Sequence, residues 1–193
     1  MYKHLFKALL SLSLLAPPLL CGNMANTIKC RAAAFFPCSD RMRDIYSQTI
    51  PTYEVEATFG VKDTVQAWAN VGWLYKHGRS ENLKSATSIN MRSVSCGLSL
   101  VGCVNECLRI YLGAGYSMTC AQIKNTFYTS NTHCKYKERK YISGVVVKSG
   151  VLYDINCMLC SEAFLDYLYL PSKFHTRVSL GGLRLGIGLG YKY

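Results

Sequence analysis

The segment Leu183-Arg-Leu-Gly-Ile-Gly-Leu-Gly-Tyr-Lys-Tyr193 alternates without a break between apolar residues and small or basic ones. Side chains on a strand change face at every residue. Leu183, Leu185, Ile187, Leu189, Tyr191 and Tyr193 therefore share one face, and Arg184, Gly186, Gly188, Gly190 and Lys192 share the other. A soluble sheet would bury that apolar face under a second layer, and no later segment supplies one. The remaining solution is a closed barrel with lipid outside and Arg, Lys and Gly inside.

The same alternation recurs upstream and divides the chain into eight strands. Its apolar faces include Ile28 to Phe36, Tyr53 to Phe59, Val65 to Tyr75, Val94 to Leu100, Leu108 to Met118 and Ala163 to Tyr169. A blurred sixth strand covers Tyr141 to Tyr153, where Val145, Val146 and Val147 interrupt the pattern. Connectors after the second, fourth and sixth strands are short. Those over 37–52, 76–88 and 121–140 are long and polar, so they are expected as outer loops. The expected fold class is all-β: an eight-stranded antiparallel transmembrane up-and-down β-barrel.

The start of the chain agrees with export. Lys3, His4 and Lys7 precede an apolar run from Ala8 to Cys21, interrupted by Pro17 and Pro18, and small residues follow. This is the order of a signal peptide over 1–22, leaving a barrel domain over 23–193. Cleavage after Gly22 or Ala25 fits, and Cys21 leaves a lipidated N-terminus as the alternative. No later run reaches the roughly 18 apolar residues of a membrane helix. Export argues against a nucleic-acid partner, and the formal charge of +11 in an exported chain favours outer-membrane lipid and lipopolysaccharide.

An eight-stranded barrel has room for side chains but not for an open pore. Its inward positions hold Glu54, Glu56, Glu162 and Asp166 against Lys29, Arg31, Arg92, Arg109, Lys148 and Arg184. Buried charges must pair, so these residues are candidates for lumen ion pairs; the same set could line a narrow polar tunnel or substrate site. No cofactor or metal is expected.

Ten cysteines in an exported chain favour disulfides. Cys103 and Cys107 flank one short turn, and Cys157 and Cys160 flank another. These four are the candidate disulfide cysteines, with a four-thiolate zinc site as the alternative. The basic stretch 125–140 carries His133, Lys135, Lys137, Arg139 and Lys140. It reads either as neutralising lipopolysaccharide phosphates or as recognising a sulphated glycan or other polyanion. His77, near Ser80 and Glu81, is a weak match to a hydrolase constellation, and no catalytic residue is assigned.

Leu112-Gly-Ala-Gly-Tyr116, Ser143-Gly-Val-Val-Val-Lys-Ser-Gly-Val-Leu152 and Gly181-Gly-Leu-Arg-Leu-Gly-Ile-Gly-Leu-Gly-Tyr191 together resemble small outer-membrane barrels of the OmpX/OmpW/OmpA-transmembrane type. The nearest resemblance is to cysteine-rich chlamydial-type envelope proteins. It implies insertion by the barrel-assembly machinery through a C-terminal strand signal at Leu189, Tyr191 and Tyr193, with Tyr in place of the more usual Phe. That fold hosts no single activity. The expected function is a non-enzymatic structural or surface role in the envelope, with disulfide links to other envelope proteins as one form of it. The alternatives are a narrow channel or receptor for a small molecule, and an adhesin binding polyanions through 125–140.

Overall fold

The computed structural model describes residues 25–80, 85–129, 132–171 and 180–193; the side chains of 80, 85, 125–129 and 132–135 are not described. The expected signal peptide over 1–22 lies outside the described residues. The strands are β1 (Thr27–Pro37), β2 (Ile50–Lys62), β3 (Val65–Ser80), β4 (Ser85–Cys103), β5 (Leu108–Thr129), β6 (Thr132–Asp154), β7 (Leu159–Tyr169) and β8 (Gly182–Lys192). Each pairs antiparallel with the next, and β8 returns to β1 from Thr27↔Lys192 to Pro37↔Gly182. The result is a closed barrel. Closure satisfies every strand edge within the ring, which is the condition for placing a sheet in hydrocarbon.

The outer surface explains why the ring needs a bilayer. Val55, Val71, Val94, Leu98, Leu100, Leu185, Ile187 and Leu189 are all exposed. Aromatic side chains flank this band. Tyr53, Trp73, Tyr75, Tyr141, Tyr167 and Tyr169 lie toward the long-connector end, and Phe59, Tyr153, Tyr191 and Tyr193 toward the other. Their amphipathic rings suit the two interfacial levels. Ile187, 71 % exposed, provides a direct test. Ile187→Arg should cost about 2–4 kcal/mol in a bilayer, measured by denaturant unfolding of the membrane-inserted barrel. A cost near zero would contradict lipid contact at that site.

Two of the short turns share one design. In the first, Asn105 Oδ1 accepts from Cys107 N at 3.0 Å and Leu108 N at 2.7 Å. In the second, Asn156 Oδ1 accepts from Met158 N at 2.8 Å and Leu159 N at 2.7 Å. Each asparagine closes its turn on itself, the local bonding that favours Asn at such positions. These turns form the end that faces the periplasm in barrels of this type.

The opposite end differs from the expected long loops. β3 and β4 run on past the barrel to Ser80 and Ser85, and β5 and β6 to Thr129 and Thr132. Residues 76–88 and 121–140 are thus mostly strand. Polar side chains on the outward face, such as His77, Gln122 and Lys124, hid the alternation there, because this extension lies beyond the lipid. β7 ends at Tyr169, opposite Val145, so β6 and its partners outreach their neighbours. In the first long connector a short helix, α1 (Asp40–Tyr46), interrupts the expected loop. Its Met42 and Tyr46 are buried, and Tyr46 Oη lies 3.0 Å from Thr87 Oγ1. Burial pushes the Tyr46 phenol above its ordinary value, partly offset by that bond.

Candidate functional site

The lumen is filled in two chemically distinct layers. Near the outer end, Phe35, Met42, Tyr46, Ile50, Leu74, Ile89, Met91, Ile142, Val146, Leu168, Leu170 and Leu180 form one buried apolar cluster. The inward faces of the strands were expected to be polar throughout; this half is instead a hydrophobic core. It forms because α1 packs Met42 and Tyr46 against the strand ends, so the inward side chains there meet other side chains and not solvent. A smaller apolar cluster of Val101, Tyr111, Leu152 and Phe164 lies toward the short-turn end.

Within the lumen sits a buried ion network. Arg31 reaches Glu54 at 2.9 Å, Asp166 at 3.0 Å, Glu56 at 3.2 Å and Glu162 at 3.4 Å. Lys29 reaches Glu56 at 2.8 Å and Glu162 at 3.4 Å. Lys148 pairs with Glu56, and Arg184 pairs with Glu54 and lies 3.7 Å from Asp166. The Tyr111 hydroxyl donates to Glu162. Four cations thus face four carboxylates, which removes the cost of an unbalanced buried charge. Aromatic rings support the cations: the Arg31 guanidinium sits 3.5 Å from the Phe164 ring centre and Lys148 Nζ 4.4 Å from that of Trp68.

The glycines beside Trp68 make room for it. A Cβ on Gly115 would lie 2.6 Å from the Trp68 ring, and one on Gly97 would lie 2.7 Å from it. The inward position of Trp68 follows from the alternation around Gln66 and Asn70, but nothing in the chain alone marks it as the partner of these two glycines. Two internal voids measure about 30 Å³ and 10 Å³. The larger, lined by Thr119 and Arg184 among others, has room for a water molecule but not for a passing solute.

Two basic residues lie elsewhere than expected. Arg92 is exposed on the outside, because it shares the parity of Val94 and Cys96. Arg109 pairs with Asp154 at 2.6 Å, as does Lys192 at 2.9 Å, so it belongs to the short-turn rim and not to the central network. Cys107 and Cys157 are exposed thiols at that rim, and Cys160 is a buried one facing inward; Cys103 is disulfide-bonded. Among the described residues no three His, Cys, Asp or Glu side chains are grouped to hold a metal. Outside, His77 Nε2 lies 2.8 Å from the Tyr75 hydroxyl; its nearest described bond is to a phenol, and Glu81 lies outside the described residues.

The basic stretch splits by strand parity. Lys137 and Arg139 are exposed on the outer face of β6, whereas Lys140 turns to the other face and pairs with Glu138 at 3.1 Å. The side chains of His133 and Lys135 lie outside the described residues. Across the sheet, registered neighbours extend the basic surface. His77, Ser88, Lys124 and Lys137 form one row, and Tyr75, Asn90, Gln122 and Arg139 the next.

No family model matches the chain, and no curated protein matches it. Solved structures do. Neisserial surface protein A is similar at 15 % identity and a TM-score of 0.66, over 87 % of this chain and 97 % of its own. The outer membrane protein OprG from Pseudomonas aeruginosa is similar at 14 % identity and a TM-score of 0.66, over 90 % and 98 %. Ail, the attachment invasion locus protein of Yersinia pestis, in complex with the heparin analogue sucrose octasulfate, is similar at 13 % identity and a TM-score of 0.56, over 87 % and 99 %. Closed ring, lipid-facing band, aromatic girdles and these likenesses agree: the chain has the eight-stranded transmembrane fold of the small bacterial outer-membrane β-barrels.

Proposed function

We propose that this chain is a non-enzymatic outer-membrane protein whose barrel is a sealed anchor and whose work is done on its outward surfaces. The filled lumen carries the reading. Among the described residues, voids of only about 30 and 10 Å³ between the inward side chains and the crossed salt bridges argue against the narrow channel or small-molecule receptor. Purified protein in planar bilayers is expected to give no steady conductance and no size-dependent liposome swelling. Reproducible swelling with small sugars would establish a transport role instead.

Envelope cross-linking is part of the same reading. Cys107 and Cys157 are exposed at the rim that faces the periplasm in this type of barrel, where an oxidising compartment permits disulfides to other envelope proteins. Insertion by the barrel-assembly machinery is supported by the exposed Leu189, Tyr191 and Tyr193 on the closing strand and its end. A second reading, polyanion binding at the surface, is favoured by the outward Lys137 and Arg139. The complex of Ail with a heparin analogue is a precedent in a similar fold.

A further inference from the structure

The outward residues of β3 to β6 change character at one registered row. Val71, Val94, Met118 and Ser143 are neighbours across the four strands and end the apolar band. The next row outward is Trp73, Arg92, Cys120 and Tyr141, followed by Tyr75, Asn90, Gln122 and Arg139. With the row beyond them, His77, Ser88, Lys124 and Lys137, these rows carry aromatic edges, two amides, the cations Arg92, Lys124, Lys137 and Arg139, and no carboxylate. The one acid of this stretch of β6, Glu138, is turned to the opposite face and held by Lys140. At the centre of the patch, Gln122 Nε2 is buried without an acceptor.

We propose that this face binds the phosphorylated sugar headgroup of an outer-leaflet glycolipid. The proposal rests on the reading that the barrel sits in the outer membrane, and it names the polyanion its surface meets. Three strand spacings and two row spacings give a patch of about 14 Å by 14 Å, enough for two sugar rings. Arg92, Lys124 and Arg139 supply charge for phosphates, with Arg suited to bidentate contact. Asn90 and Gln122 offer donors and acceptors to hydroxyls. Trp73 and Tyr141 offer flat apolar faces beside the cations. The site begins at the first residues beyond hydrocarbon, where a lipid phosphate lies and where a soluble glycan would have to compete with headgroups.

The test titrates the whole protein in detergent micelles with diphosphoryl lipid A, with the same lipid after phosphate removal, and with heparin oligosaccharide, reading retained ligand by native mass spectrometry. The comparison is the variant Arg92→Gln/Lys124→Gln/Arg139→Gln, with Lys62→Gln at the other rim as a charge control. The parent and Lys62→Gln are expected to hold diphosphoryl lipid A alike. Binding by the triple variant should fall about 100-fold, from roughly fivefold per cation at a membrane surface. Phosphate removal should weaken binding to the parent similarly, and heparin should not displace the lipid. Equal retention by the triple variant, or indifference to phosphate, overturns the proposal. So does heparin binding that the triple variant loses while lipid retention stays unchanged, which would assign the face to soluble polyanions. An unchanged heat-dependent gel shift verifies the fold. If the triple variant lacks that shift, Lys124→Gln and Arg139→Gln singly should each show a roughly fivefold loss, and no loss in either overturns the proposal. Conductance reads the sealed-anchor function separately, so the two can fail independently.

Discussion

Arg31→Met is expected to lower the stability of the folded barrel by about 3–5 kcal/mol, the range for removing one partner from a buried ion pair. Arg31 is the hub: four carboxylates lie within 3.4 Å of it. Without it, Lys29, Lys148 and Arg184 must balance Glu54, Glu56, Glu162 and Asp166. One negative charge is then left in a space with little room for water. Urea unfolding of barrels folded into lipid vesicles gives the number. A companion variant, Arg31→Met/Asp166→Asn, removes one charge of each sign and should recover a large part of the loss. If the single variant is as stable as the parent, the network is not energetically coupled in the way its geometry implies.

Trp68→Ala should be comparably costly, about 3–5 kcal/mol, because it leaves a large cavity that the ring cannot close. Trp68 is 3 % exposed, and two glycines on β4 and β5 are shaped around it. Its removal also takes away the ring beneath Lys148 Nζ. The converse changes, Gly97→Val or Gly115→Val, should destabilise by overpacking, since each new Cβ would meet backbone carbonyl oxygen as well as the indole. Both effects are readable by the same unfolding assay. A Trp68→Ala loss below about 1 kcal/mol would mean that the wall collapses inward, and the glycine pair would then not be the reason the indole is fixed.

The fold was legible because lipid makes alternation strict. Ile187 and Leu189 must face out and Arg184 must face in, whatever their neighbours are, so eight periods could be counted along the chain. Legibility stopped where lipid stopped. Beyond Trp73 and Tyr141 the outward face of β3 to β6 turns polar while the inward face stays apolar at Leu74, Ile89 and Ala121, so the polar-in, apolar-out pattern of the barrel is lost and the same backbone looked like loop. Helix α1 was hidden for a different reason. Seven residues, Asp40 to Tyr46, carry too short a pattern for periodicity, and Met42 and Tyr46 are buried only because the strand ends provide something to pack on. The lumen charges were legible as a set but not as a network. Glu54 meets Arg31 through the local pairing of β1 with β2, but Glu162 and Asp166 reach it only through the closure of β8 on β1, a contact between residues about 155 apart in sequence, such as Arg31↔Gly188. Strand parity alone would have placed Arg92 outside.

The balance of four cations and four carboxylates within the lumen has a counterpart at the short-turn rim. There Lys62, Arg109 and Lys192 offset Asp63, Glu106 and Asp154. At the outer end, ten described basic residues stand against three acidic ones. The surplus positive charge of the described chain is therefore gathered at one mouth, and the sequence pI near 9.2 is largely a property of that mouth. Two copies lying side by side would repel there over roughly a Debye length, about 8 Å at physiological salt. Dense lateral arrays of this molecule thus require anions between neighbours, and their spacing should contract or loosen as those anions are supplied or stripped.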